Sequence, residues 1–120
     1  MALAVHHVHL KTRDPRQTMK FYVDNLGATL IAEISPYGYR VNLHGLTLNI
    51  TSLIDTQRRE QHYGIEHIAV DTDDYPATLA RLRANGVRIL EELPLSNGRR
   101  VCFLEAPDGA QVEVIEQSPD

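Results

Sequence analysis

Residues 7–27 read HVHLKTRDPRQTMKFYVDNLG, and residues 67–87 read HIAVDTDDYPATLARLRANGV. The two stretches share a pattern: each opens on a histidine, His7 or His67, followed by an aspartate seven residues later and by a glycine near the end. A repeat with a period of about sixty residues indicates one supersecondary unit built twice. Two such units facing each other would form a cleft, and each would bring one histidine to it.

Each copy predicts a strand followed by a helix. VHHVHLKT and GIEHIAVDT are strand-like, and the helices are expected to begin after the N-capping residues Asp14 and Asp74. Gly27 and Asn85-Gly86 are typical helix ends. Further short β-rich runs separated by turn residues follow each helix: ATLIAEIS, GYRVNLH and LTLNITS in the first copy, and VRILEEL, RRVCFLE and AQVEVIE in the second.

The order β-α-β-β-β, repeated, predicts an α+β fold in which curved, mostly antiparallel sheets surround a cleft and the helices lie outside. A chain of 120 residues is expected to form one domain, 1–120. Within it we expect units at about 1–52 and 64–118. The polar stretch LIDTQRREQHY, residues 53–63, has no strong period and is expected to link them.

Composition excludes several classes of function. The formal charge of −4 and the pI near 5.8 leave no basic footprint for nucleic acid. No apolar run is long enough to span a membrane, and the first ten residues do not resemble a signal peptide. The single cysteine, Cys102, permits no intrachain disulfide and is expected to be a small buried residue. We therefore expect a cytoplasmic protein.

Alternation along the strands places five polar side chains in one phase: His7, His9, Asn49, His67 and Glu113. The apolar phase, with residues such as Val8, Leu10 and Ile68, is expected to pack under the helices. A polar sheet face is common in proteins without any site. Here, however, equivalent histidines come from both copies, and two imidazoles with one carboxylate suit a divalent metal ion.

The chain resembles the vicinal oxygen chelate superfamily, which includes glyoxalase I, methylmalonyl-CoA epimerase, extradiol dioxygenases, fosfomycin-resistance proteins and bleomycin-binding proteins. The resemblance covers essentially the whole chain. It is carried by the His7 and His67 segments, by Phe21-Tyr22 before Leu26-Gly27, and by Pro107-Asp108-Gly109 before Glu113.

The resemblance implies that His7, His67 and Glu113 are metal ligands. A fourth position of the family, often glutamate or glutamine, falls on Asn49, which is neutral and shorter. This departs from the four-ligand form usual in glyoxalase I and the epimerase. A His, His, Glu set is the one used by extradiol dioxygenases and fosfomycin-resistance proteins. Both of these commonly carry a tyrosine where this chain has Phe103, and Phe103 cannot donate a hydrogen bond.

The leading hypothesis is a metal-dependent enzyme acting on a small oxygen-chelating metabolite, with lyase, isomerase or thiol-addition chemistry slightly favoured. The metal could be Fe²⁺, Mn²⁺, Zn²⁺, Ni²⁺ or Co²⁺. The alternatives are a ring-cleaving dioxygenase, a non-catalytic drug-sequestering protein, and a thiol transferase like the fosfomycin-resistance proteins.

Residues beside the ligands receive further roles. His9 shares a face with His7 and is a candidate general base, since its ordinary pKa lies near neutrality. Asn49, Phe103 and Arg100 are candidate substrate contacts; an arginine can hold a carboxylate through two hydrogen bonds. Tyr37, Tyr39 and Arg40 lie around a bend at Pro36 and Gly38 and could reach over a cleft mouth. The expected partners are the small-molecule substrate and a second copy of the chain in a homodimer, with units pairing either within or between chains.

Overall fold

The computed structural model describes residues 2–95 and 97–117, and the predicted end of the second unit at residue 118 lies outside them. The chain forms two compact units. We call His7–Glu66 the first unit and Met1–His6 with His67–Asp120 the second unit. The elements in chain order are β1 Leu3–Lys11, α1 Pro15–Leu26, β2 Thr29–Ile34, β3 Gly38–Leu43, β4 Leu46–Thr51, β5 Gly64–Thr72, α2 Tyr75–Ala84, β6 Ile89–Pro94, β7 Arg100–Glu105, a short 3₁₀ turn Pro107–Gly109, and β8 Gln111–Glu116.

The first unit is a mixed sheet in the order β2-β3-β4-β1, with β1 parallel to β4 and the other pairs antiparallel. The parallel pair is possible because α1 carries the chain across the sheet. One face of the sheet packs against α1 around a buried cluster of Leu10, Ala28, Val41, Leu48 and Ile50.

The helices begin and end where the sequence predicts. The Asp14 side chain accepts a hydrogen bond from the Gln17 backbone N–H at 3.0 Å, and Asp74 does the same for Ala77 at 3.1 Å. Each bond satisfies one of the free N–H groups of a helix N-terminus. Gly27 ends α1 with a left-handed φ of 75°, a conformation that glycine adopts without steric cost.

The second unit repeats this arrangement in the order β5-β8-β7-β6, again with a parallel pair, β5 and β8. Tyr75 and Leu79 of α2 pack on Cys102, Leu104 and Val114. The start of β1 belongs to this unit, where Ala2 donates its N–H to Asp73 Oδ1 at 2.8 Å. The predicted α+β class and the repeated β-α-β-β-β order are confirmed.

The second unit differs from the expected polar and apolar faces of its sheet. Ile68 is predicted to pack under a helix but is 46% exposed, whereas Ala69 on the opposite face of β5 is fully buried. Ala69 is buried because that opposite face carries a second apolar cluster, in which it packs with Val101, Phe103 and Ile115. Both faces of this sheet therefore carry an apolar cluster.

No helix in residues 2–95 and 97–117 is long and apolar enough to cross a membrane.

Candidate metal centre

The polar face of the first unit begins on β1. His7, His9 and Lys11 are buried and alternate with Val8 and Leu10, which belong to the α1 side. Lys11 is fully buried. The strand therefore carries a row of basic side chains on the face away from its helix.

The proton of neutral His9 can be assigned from the hydrogen bonds around it. His9 Nε2 lies 2.8 Å from Thr51 Oγ1, and Thr51 Oγ1 donates its only proton to the Ser52 carbonyl at 2.8 Å. The hydroxyl can then only accept from His9, so Nε2 carries the proton. The lone pair of neutral His9 is on Nδ1, and any base or ligand role belongs to that atom.

Asn49 lies on the same face, directly opposite His9 in the parallel register of β1 and β4. Its Oδ1 accepts a hydrogen bond from Arg40 Nε at 2.9 Å, since Arg40 is the antiparallel partner of Asn49 on β3. Asn49 therefore orients the Arg40 side chain.

We did not predict the Arg40–Asn49 contact from the sequence, although the turn at His44-Gly45 indicates it. His44 and Gly45 both have positive φ, as a two-residue hairpin requires. Such a turn pairs the residues on either side of it, and counting back from the turn places Arg40 opposite Asn49. Gly38 fits the same register, because a Cβ there would lie 1.8 Å from the Ile50 carbonyl oxygen.

The second unit contributes a buried histidine and carboxylate that contact each other. His67 Nε2 lies 3.1 Å from Glu113 Oε1. Two ligands bonded at typical distances to one metal ion are themselves roughly 3 Å apart. The pair therefore has the separation and the donor atoms of two neighbouring metal ligands. His7, His9 and His67 are all buried, and each could supply a ligand atom to a metal ion.

Phe103 packs directly on this pair. Its ring meets the His67 ring edge to face, with centroids 5.1 Å apart, and it is the register partner of Glu113 on β8. Phe103 is almost completely buried. In this position it restricts the His67 ring and excludes water from one side of it.

Arg100 lies elsewhere. It is three residues from Phe103, so it points to the other face of β7, where its guanidinium stacks over the Tyr75 ring at 4.9 Å. It also contacts Glu116 at 2.6 Å, and this hydrogen bond holds the pKa of the Glu116 carboxyl below its usual range. The structure brings Asn49 to the face of His9, and Phe103 to that of His67 and Glu113, but places Arg100 on the α2 side.

Residues 53–63, which the sequence predicts to link the units, are part of the first unit and are held there by specific side-chain contacts. Gln61 Oε1 accepts from Lys11 Nζ at 2.8 Å and from the Ile54 N–H at 2.9 Å. Arg59 Nη2 pairs with Glu66 Oε1 at 2.6 Å, and both side chains are inaccessible to solvent, at 1% and 0% exposure. We call residues 53–63 the strap. The sequence does not predict these contacts, because polar residues without a period give no packing signal.

Comparison with known proteins decides the family. The model of the Glyoxalase/Bleomycin resistance protein/Dioxygenase superfamily matches residues 4–114. The chain belongs to this superfamily. The resemblance that the sequence motifs indicate is therefore confirmed.

Members of the superfamily resemble the chain in sequence and in fold. It is 32% identical to the lactoylglutathione lyase of Haemophilus influenzae, over 92% of this chain and 90% of that one. A hypothetical protein from Bacillus halodurans has a TM-score of 0.80 at 19% identity, covering 100% of this chain and 98% of that one. Methylmalonyl-CoA epimerase from Mycobacterium tuberculosis has a TM-score of 0.74 at 22% identity, covering 96% and 88%. The last two show the fold alone. Together with the buried histidines, the lyase relatives support a metal-dependent enzyme of the glyoxalase superfamily.

Proposed function

We propose that the chain is a metal-dependent lyase or isomerase that acts on a small metabolite chelating the metal through oxygen. The proposed ligands of one divalent ion are His7, His67 and Glu113. The observation that carries the proposal is the buried contact between His67 and Glu113, whose donor atoms lie 3.1 Å apart. Relatives named as lactoylglutathione lyases favour lyase chemistry over the other reactions of the superfamily.

The donor set fits a first-row divalent metal. Two imidazoles and one carboxylate suit iron, manganese, cobalt, nickel or zinc and leave coordination positions for substrate oxygens. When bound, such an ion polarises a substrate carbonyl and stabilises the enolate-like state that forms when a neighbouring proton is removed.

Three side chains have roles beside the ligands. His9 takes and returns the proton at its Nδ1, because Thr51 holds the other ring nitrogen. Phe103 limits the movement of His67 and keeps water from it. Asn49 does not ligate the ion in this proposal, since its oxygen is bonded to Arg40. Arg100 is left out of the substrate site because it stacks on Tyr75, on the other face of β7.

The test of the reaction is formation of lactoylglutathione from glutathione and methylglyoxal by protein loaded with each of the five metals in turn. We expect turnover with at least one metal and its loss in Glu113→Gln. Turnover in Glu113→Gln equal to that of the wild type at equal metal content would contradict the assignment of this ligand. If the protein binds metal but is inactive with every metal tested, glutathione and methylglyoxal are excluded as its substrates.

Ring-cleaving dioxygenation is the second candidate function. It is favoured by the contact of Asn49 with Arg40, which leaves two histidines and one carboxylate as in many iron oxygenases. Oxygen consumption by iron-loaded protein with catechol would support it, and no oxygen uptake would exclude it in favour of the lyase.

We also propose that the chain forms a homodimer. Leu3, Val5 and Ile68 of the second unit are apolar and substantially exposed in the single chain. Exposed apolar patches commonly mark association surfaces. Sedimentation equilibrium is expected to give twice the chain mass, and a monomer at all concentrations would refute the dimer.

A further inference from the structure

Three side chains form one row across the polar face of the first unit. Arg40 on β3 pairs with Asn49 on β4, and Asn49 pairs with His9 on β1. Neighbouring strands lie about 4.8 Å apart, so the backbones of Arg40 and His9 are separated by about 10 Å. This distance suits a small molecule that reaches from the histidines to the arginine.

The Arg40 guanidinium is oriented with its recognition edge available. Its Nε is held by Asn49 Oδ1 at 2.9 Å, and the side chain is half-buried. The Nη1 and Nη2 groups supply the parallel donors that bind a carboxylate through two hydrogen bonds.

The strands that carry this row contain no carboxylate. β1, β3 and β4 contain no Asp or Glu, while they carry Lys11 and Arg40. Glu33 of the neighbouring β2 pairs with Tyr39 and therefore lies on the opposite face from Arg40. A half-buried arginine on strands free of carboxylates complements an anion.

We propose that Arg40, positioned by Asn49, is an anion subsite, and that the substrate carries a carboxylate some bonds away from its chelating oxygens. The inference rests on the proposed function for the chelating end of the substrate. At the position where the family often has a glutamate or glutamine ligand, this chain has Asn49, whose amide oxygen accepts a hydrogen bond from Arg40. A carboxylate at residue 49 would pair with Arg40 and neutralise the subsite.

The test compares two probes that differ in one charge: 2-oxoglutarate and its 5-methyl ester. Affinities are measured by calorimetry on metal-loaded protein and on chelator-treated protein. We expect the wild type to bind the diacid at least tenfold more tightly than the ester in both forms. In Arg40→Gln this ratio should fall to about one, with unchanged ester affinity and metal content.

Asn49 is tested as a positioning residue by the same ratio, which a loss of stability alone would not change. Asn49→Asp should abolish the preference for the diacid, and Asn49→Ala should reduce it, while both retain metal. An equal affinity of the wild type for diacid and ester, or a wild-type ratio in Arg40→Gln, would overturn the subsite. Absence of metal from the wild type would instead overturn the proposed function, since the ratio in chelator-treated protein still reports on Arg40.

Discussion

At the residue scale, His9 is set apart from the other histidines by its hydrogen bonds. Thr51 accepts a hydrogen bond from Nε2, so the lone pair of the neutral ring is on Nδ1. A residue that moves a substrate proton typically contributes 10²–10⁴-fold to the rate. His9→Gln is therefore expected to lower kcat by about this factor while metal content and KM change little. Unchanged kcat would contradict the base role, and loss of metal would instead make His9 a ligand.

The site residues divide into those that alternation predicts and those that it does not. His7, His9, His67, Asn49 and Glu113 are all buried, in the strand phases that the sequence indicates. Alternation along a strand predicts which face of the sheet a side chain lies on, but it does not predict which side chain it contacts. The pairing of Asn49 with Arg40 depends on the turn at Gly45, and the edge-to-face contact of Phe103 with His67 depends on the order of strands in the sheet.

Arg100 shows why position in the chain alone does not suffice. Its place beside a hairpin turn suggests a substrate contact, but alternation along β7 turns it towards Tyr75 and Glu116. Arg100 and Phe103 are three residues apart in one strand, so they lie on opposite faces and cannot both contact the same substrate.

At the element scale, the strap depends on the Arg59–Glu66 pair, which is inaccessible to solvent. Removing one partner of a buried pair leaves an uncompensated charge and costs about 3–5 kcal/mol. Arg59→Met is expected to lower the free energy of unfolding by that amount, measured by urea denaturation. The double variant Arg59→Met/Glu66→Leu should recover most of it, because no charge remains buried. A double variant no more stable than the single one would show that the pair itself is required.

The helix caps give a second expectation at this scale. Asp14→Ala and Asp74→Ala each remove a side-chain acceptor from a helix N-terminus, and each should cost about 1 kcal/mol of unfolding free energy. Asp24→Ala, an exposed change within α1, is the matched control and should cost less than half of that. Equal effects in all three variants would mean that charge, and not capping, is responsible.

The helices and strands are predictable because they carry periodic apolar patterns and turn residues. The strap is not, since its order comes from Gln61 bonding to Lys11 and to the Ile54 backbone. Such contacts join polar groups of residues that are distant in sequence, and no local pattern predicts them. The apolar face around Phe103, which Leu90, Leu93 and Leu95 cover, is likewise not predictable from a local pattern.

At the scale of the whole molecule, stability should decline in alkali. Burial raises the pKa of Tyr75 and of Cys102 above the ordinary values of 10.0 and 9.0. The unfolded chain loses these protons near pH 9 and 10, whereas the folded chain keeps them, so the unfolding free energy falls as pH rises above about 9. Each group contributes at most about 1.4 kcal/mol per pH unit.

Tyr75→Phe tests this dependence. The variant should show a shallower fall in unfolding free energy above pH 10 than the wild type, whereas Tyr63→Phe, at an exposed tyrosine, should not. Identical pH slopes for wild type and Tyr75→Phe would contradict the contribution of Tyr75.

Metal stoichiometry tests the proposal that His7, His67 and Glu113 hold one divalent ion. Wild type, His7→Ala, His67→Ala, Glu113→Gln and the exposed control His62→Ala are dialysed against the same low concentration of Co²⁺ and analysed for metal and protein. We predict one ion per chain in wild type and His62→Ala, and less than a tenth of that in each of the other three, with circular dichroism confirming that they fold. Wild-type metal content in folded His67→Ala would contradict the proposed ligand set.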